Sequence, residues 1–406
     1  MGLTNHKGLD ASNIILRLLP EDQQPPPPQL DDPSRRGRNL HTAHILTVNW
    51  TADGGWEAPE ISPYGKLALE PTASVLHYAT EAFVRTSLCF VKVVPLINVT
   101  IVQEGLKVYR GWDGKLRLFR PWLNCQRMLR SNAYVGLPSF SVDELLTLLA
   151  TFARIECPHW LPHPGSSLYL RPSMIGTGSA LGMQKPAEAL FFLFGALFPQ
   201  STGNQCANLL ASSPDQVRAW PGGFGCAKIG ANYGPTMPAQ TDARENGCTS
   251  TLWLFAEDGQ VTESGGSNFF VIWRREDDEN VLELVTCSVT DRLILNGITR
   301  RSILELARER LSHTSTGAAE LPCLEVREGR FVIHDIFKAQ KAGRLLEAFI
   351  TGTSASVTPV AGIKWKAEEI TIPVNLLGFT SMFHKWLDNI IYGVESHDWA
   401  YIVPEI

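Results

Sequence analysis

Gly222–Gly234 reads GGFGCAKIGANYG. A single lysine, Lys228, stands there among glycines, alanines and a cysteine, with Asn232, Tyr233 and Gly234 just behind it. The stretch lacks the GK[ST] ending of a nucleotide-binding P-loop. A lysine kept among small residues lets a compact ligand reach its amine. Desolvation there would favour the neutral form that attacks a carbonyl. A flexible glycine loop with a solvated lysine is the plainer reading of the same residues, so the surrounding chain has to decide.

Further along, Thr262–Asn268 (TESGGSN) runs into the apolar stretch Phe269–Trp273. Its carboxylate, Glu263, precedes tight-turn glycines and suits a cationic ring nitrogen. Ile294–Thr299 (ILNGIT) leads directly into a helical pattern whose first N–H groups suit a phosphate. Thr351–Ser354 (TGTS) offers a second hydroxyl-rich turn. An amine, a carboxylate and two anion sites in this order are what a pyridoxal phosphate enzyme requires.

The rest of the chain is compatible with that chemistry and excludes others. Its 406 residues are 44% hydrophobic and 19% charged, the balance of a globular protein with ample core. A net charge of -5 argues against a nucleic-acid or anionic-membrane surface. The 8 cysteines include no C-x-x-C, which disfavours a zinc ribbon and a disulfide scaffold. The histidines show no HExxH spacing, so no metal site is expected. Gly176–Gly182 has GxGxxxG spacing rather than GxGxxG, and Pro186 interrupts any following helix, so no dinucleotide site is expected.

Short β-rich runs alternate with helical ones from His44 onward, which predicts an α/β (α+β) protein. Strands are expected at Ile45–Trp50, Lys115–Phe119, Ser167–Leu170, Ala189–Phe194, Thr251–Phe255, Asn268–Trp273 and Val281–Val285. Helices are expected at Pro121–Arg130, at Val142–Glu156 behind a Ser141 N-cap, and at Thr299–Leu311. The partition read from this pattern is a poorly ordered lead-in over 1–40, a small α/β domain over 41–200, a linker over 201–220 and a large cofactor-binding domain over 221–406. The lead-in shows neither a secretory pattern nor the acid-poor, Arg-rich bias of a mitochondrial presequence, so a cytoplasmic location is expected ahead of a mitochondrial one. No span is apolar enough to cross a membrane.

With Leu118–Arg130 (LFRPWLNCQRMLR), Ser167–Pro172 (SLYLRP), Lys228–Pro235 (KIGANYGP), Thr262–Phe269 (TESGGSNF) and Leu295–Arg301 (LNGITRR), nearly everything after about His44 resembles a branched-chain amino-acid aminotransferase of the type IV pyridoxal phosphate fold. The resemblance implies two α/β domains with the cofactor at their interface, and a homodimer. It implies that Lys228 holds the cofactor covalently and then shuttles protons. Glu263 would bond the pyridine nitrogen and Tyr233 the phenolic oxygen. Arg127, the amides of Ile298 and Thr299, and Thr353 would take the phosphate. Tyr78, Phe83, Tyr169 and Ser354 would surround the substrate, with Arg171 close by. The implied reaction is ping-pong amino transfer between leucine, isoleucine or valine and 2-oxoglutarate. A D-amino-acid aminotransferase, an aminodeoxychorismate lyase or a catalytically impaired paralogue are the alternatives.

The chain departs from that family's pattern in several places. Asn296 replaces a proline, Gly266 a threonine and Leu197 an aromatic, while Ala355 and Thr358 stand where some members carry a redox cysteine pair. The largest departure is residues 84–103, VRTSLCFVKVVPLINVTIVQ. In the family, the equivalents of Leu76–Phe83 continue directly into those of Glu104–Gly111. The 20 extra residues begin with valine (a GTN codon) and end with glutamine (CAG being one of its two codons), which fits the boundaries of an unspliced intron and gives the reading that the segment is a gene-model artefact. The competing reading is a genuine insertion forming a hairpin or interface element.

Overall fold

The structure, a computed structural model, describes residues 7–29, 32–37, 40–83, 105–179, 181–198, 206–312, 322–353 and 356–405. Residues 84–103, with the insertion read from the sequence, lie outside them, as do Ser354 and Ala355.

The first half contributes β1 (Ile15–Leu16), β2 (His44–Thr51), β3 (Gly55–Trp56), β4 (Glu60–Pro63), β5 (Glu81–Phe83), β6 (Leu106–Arg110), β7 (Leu116–Phe119), β8 (Ser167–Gly176) and β9 (Glu188–Ala196). Helices α1 (Ser74–Tyr78), α2 (Pro121–Tyr134) and α3 (Val142–Trp160) lie between them. The second half contributes β10 (Ala207–Ala211), β11 (Ser250–Phe255), β12 (Gln260–Ser264), β13 (Ser267–Arg274), β14 (Leu282–Thr286), β15 (Glu325–Glu328), β16 (Leu345–Gly352), β17 (Ser356–Trp365) and β18 (Glu368–Thr371). With these go α4 (Met237–Glu245), α5 (Ile298–Arg310), α6 (Ile333–Lys341) and α7 (Phe379–Ile391), and β19 (Ala400–Val403) follows last. Among the described residues the strands form a ten-stranded and a nine-stranded sheet.

Periodicity explains which faces are covered. Along β8, Leu168, Leu170 and Met174 point into a core shared with Leu145, Leu149 and Phe152 of α3, leaving Tyr169, Arg171, Ser173 and Ile175 on the other face. Along β13 both faces are apolar. Phe269, Val271 and Trp273 pack on α6, whereas Phe270 and Ile272 pack on α5 and α7. A strand buried on both sides reads as the continuous apolar run seen there. The expected α3 begins at its Ser141 cap, whose hydroxyl accepts the Glu144 N–H at 3.4 Å.

Three expectations are corrected. In the segment read as a poorly ordered lead-in, the described residues 7–29 are built against the first sheet. Leu9 and Ala11 enter the core, β1 pairs with β4, and the Leu19 N–H donates to His44 Nε2 at 2.8 Å. His44 in turn bonds the buried Glu156, which also accepts the Trp160 indole N–H at 2.9 Å. The stretch 201–220 is not all linker, because β10 inserts between β11 and β17 of the second sheet. The final residues do not stay with the second sheet, since β19 pairs with β7 of the first.

Strands β5 and β6 settle how the chain passes residues 84–103. Both pair with β8, Phe83 opposite Ser173 and Leu106 opposite Leu170. Continued step by step, the β5 ladder would place its third further residue opposite Leu170, and Leu106 sits there instead. The two ladders therefore share one register once 20 residues are removed, the length of the 84–103 segment. One strand of the sheet is thus written in two pieces. A variant lacking residues 84–103 is expected to fold with unchanged circular dichroism, a higher thermal midpoint and better solubility, because it loses a β-branched run prone to self-pairing. Loss of folding on deletion would show that the segment belongs to the structure.

Candidate active site

The site lies where α2 of the first sheet's layer meets α5 and the second sheet. Arg120 makes that junction. It takes a left-handed conformation (φ 48°) before Pro121, and its backbone N–H donates to the Trp399 carbonyl at 2.7 Å. Its guanidinium reaches Glu305 at 2.7 Å and donates to the Ser302 hydroxyl at 3.0 Å, both on α5, while covering the Trp399 ring at 4.1 Å. The start of α2 is thereby held against the first turns of α5.

Two helical turns further along α2, Arg127 is buried, and its carbonyl accepts the Ser131 hydroxyl at 2.9 Å. The Ser131 oxygen in turn accepts the backbone N–H of Lys228 at 2.9 Å. Lys228 is 1% exposed, with its Nζ 5.6 Å from the centre of the buried Tyr233 ring. Asn232 pins the loop by donating to the carbonyls of Phe224 at 2.8 Å and Ala227 at 2.9 Å. The GGFGCAKIGANYG stretch is therefore a fixed loop rather than a flexible one.

Glu263 is the penultimate residue of β12, just before the Gly265–Gly266 turn, and Gly265 has a positive φ of 56°. Its carboxylate is fully buried. Oε1 accepts the Leu295 N–H at 2.7 Å and the Asn268 amide at 3.2 Å, and Oε2 lies 3.0 Å from the Arg218 guanidinium. Both members of that ion pair are 2% exposed. Asn268 also donates to the Leu295 carbonyl at 2.8 Å, tying β13 to the segment that leads into α5. Gly297 precedes α5, and a Cβ there would stand 2.1 Å from the Asn268 Oδ1.

Ile298 and Thr299 open α5 and line a small, partly open pocket together with Gly352 and Thr353. Asn124, one turn before Arg127, lines the same pocket, and its buried Oδ1 has no hydrogen-bond partner among the described residues. On the open face of β8, the buried Tyr169 stacks on Phe198 at 4.9 Å, and Arg171 leans over the Tyr169 ring at 5.1 Å. Its ring also crosses Gly105, where any Cβ would fall 1.1 Å from Cε2.

The sequence-expected residues are not all brought together. Ile298, Thr299 and Thr353 line one pocket, and Lys228, Arg127, Tyr233 and Glu263 are buried outside its lining. Tyr78 ends α1 at 40% exposure, beside His77. The backbone of Phe83 stands opposite Ser173, its side chain lies outside the described residues, and so does all of Ser354. Leu197 is buried in the first core, away from the open face of β8. Sequence reasoning missed Arg218, Asn268, Ser131 and Asn124. Arg218 fell in the stretch read as a linker, and no local motif points from it to Glu263.

These donors suit one cofactor. The aldehyde of pyridoxal phosphate needs a buried amine, its ring nitrogen a fixed carboxylate, and its phosphate a helix start with hydroxyls beside it. The protein is accordingly a pyridoxal-phosphate-dependent enzyme. Residues 102–363 match the model of the amino-transferase class IV family, and the chain belongs to that family. It is 40% identical to the cytosolic branched-chain-amino-acid aminotransferase of Mus musculus over 370 residues, covering 89% of this chain and 86% of the relative. It is 38% identical to the branched-chain-amino-acid aminotransferase of Monosiga brevicollis over 403 residues, covering 97% and 93%. The branched-chain amino acid aminotransferase of Thermobaculum terrenum in its PLP form shares the fold, with a TM-score of 0.65 and 21% identity over 90% of this chain and 99% of that one.

Removing one partner of a buried ion pair leaves a charge without compensation, at a cost of about 3–5 kcal/mol. Arg218→Met is expected to lower cofactor-free stability by that order in urea unfolding. The double variant Arg218→Met/Glu263→Gln should recover most of the loss. Simple additivity of the two substitutions would show that the pair is not coupled.

Proposed function

We propose that this class IV aminotransferase is a branched-chain amino-acid transaminase, moving amino groups reversibly between leucine, isoleucine or valine and 2-oxoglutarate. What carries the substrate assignment is 36–40% identity to branched-chain-amino-acid aminotransferases along most of the chain. When bound, pyridoxal phosphate supplies the electron sink that stabilises negative charge at the substrate Cα. Arg127, the first amides of α5 and Thr353 would hold the phosphate, and Tyr233 the phenolic oxygen. Glu263, steadied by Arg218, Asn268 and the Leu295 N–H, presents a fixed negative charge to the ring nitrogen.

Lys228 Nζ is the proton carrier. With the cofactor bound, its free amine would take the proton from the substrate Cα and hold it for return. Its backbone anchor on Ser131 keeps the amine within reach during both half-reactions. Tyr169 and Arg171 form the substrate side of the site, with Tyr78, Phe83 and Ser354 placed around it by resemblance. The protein acts as a homodimer in the cytoplasm.

The purified holoenzyme is expected to convert L-leucine and 2-oxoglutarate into 4-methyl-2-oxopentanoate and glutamate, followed by chromatography of both products. Lys228→Ala should lose at least about a thousandfold in kcat. Turnover of D-amino acids instead, or an active Lys228→Ala variant, would refute the assignment.

A further inference from the structure

Asn124 is a buried amide that the proposed chemistry leaves without a task. It stands on α2, is 3% exposed, and its Oδ1 has no hydrogen-bond partner among the described residues. A polar group in that position is costly unless something else completes it. Asn124, Arg127 and Ser131 follow one another at i, i+3 and i+7, which sets them on one face of the helix. Both ends of that face have defined neighbours. Arg120, just before α2, donates to the Ser302 hydroxyl at 3.0 Å, which donates in turn to the Ile298 carbonyl at 2.9 Å. At the far end the Ser131 oxygen accepts the Lys228 N–H. Asn124 therefore lies between the start of α5 and the lysine loop.

The pocket beside it has the character of an anion site. Asn124 lines it together with Ile298, Thr299, Gly352 and Thr353. Gly297 precedes the 13-residue α5 without a side chain, so the first N–H groups of that helix have no side-chain cap. We propose that Asn124 is a further ligand of the cofactor phosphate, donating to it through Nδ2 from α2. This rests on the reading that the phosphate sits at the start of α5. A half-turn about the Cβ–Cγ bond exchanges the two ends of the amide, and no Oδ1 bond to a described residue opposes it. The amide adds a neutral donor to the guanidinium of Arg127 and the helix N–H groups. Its contribution falls on the phosphate alone, so it favours the phosphorylated cofactor over the same ring carrying a free hydroxymethyl group.

The test compares pyridoxal phosphate with pyridoxal, which lacks the phosphate. Dissociation constants are measured on the full-length chain by quenching of its tryptophan fluorescence. Asn124→Leu keeps the size and removes the hydrogen-bonding groups. It is expected to weaken pyridoxal phosphate roughly ten- to hundredfold, while pyridoxal changes by less than about twofold. Asn124→Asp, which turns the donor into a charged acceptor, should weaken pyridoxal phosphate further still. Asn124→Ala reads the same ratio if the leucine variant does not fold. Equal weakening of both ligands in the Leu and Ala variants would overturn the proposal in favour of a packing role, and so would wild-type binding of pyridoxal phosphate by Asn124→Asp. Thr353→Val separates the two levels of the argument. A preference for pyridoxal phosphate unchanged there and in Asn124→Leu would refute the placement of the phosphate at α5. A preference reduced in Thr353→Val but kept in Asn124→Leu would refute the role of Asn124 alone.

Discussion

Glu263 places a negative charge where water does not reach, and three separate segments converge to hold it. Arg218 comes from the chain after β10, Asn268 from β13, and the Leu295 N–H from the approach to α5. A buried carboxylate without such partners would be strongly unfavourable. The same contacts determine geometry elsewhere. Asn268 and Gly297 set where α5 begins, and therefore where a phosphate would sit. Arg120 then brings α2, with Arg127 and the Ser131 anchor of Lys228, up to that helix. The amine, the carboxylate and the anion cradle thus belong to one connected network across the seam between the sheets.

Local chemistry was readable from the sequence wherever one segment carries it. Ser141 announces α3, the lysine loop and the Glu263 turn stand out by composition, and the alternation in Ser167–Gly176 marks the two faces of β8. Partners distant in sequence were not readable. Arg218 and Glu263 are 45 positions apart, and neither neighbourhood announces the other. The segment before residue 40 looked unstructured because its few apolar residues gain their burial only from the completed sheet. The return of β19 to the first sheet has the same origin, as a short strand can be placed only when its edge exists.

The interruption between Phe83 and Glu104 was visible as a break in the motif order, and the ladder on β8 gives that break a physical form. A strand that resumes in register after 20 residues has its pairing fixed by the sheet rather than by chain continuity. Both pieces border the face of β8 that carries Tyr169 and Arg171. Lys228, Glu263, Arg218 and the start of α5 lie in the second half of the chain, yet the Ser131 anchor and the Ala82–Ile229 bridge tie the lysine loop to the first.

The central claim is that the amine at position 228 carries the cofactor. Borohydride reduction of the holoenzyme, proteolysis and mass spectrometry of the peptides test it directly. A phosphopyridoxyl group on the peptide containing Lys228, and on no other lysine peptide, is the expected result. Its presence on a different lysine, or a stoichiometric label elsewhere in the chain, would contradict the account.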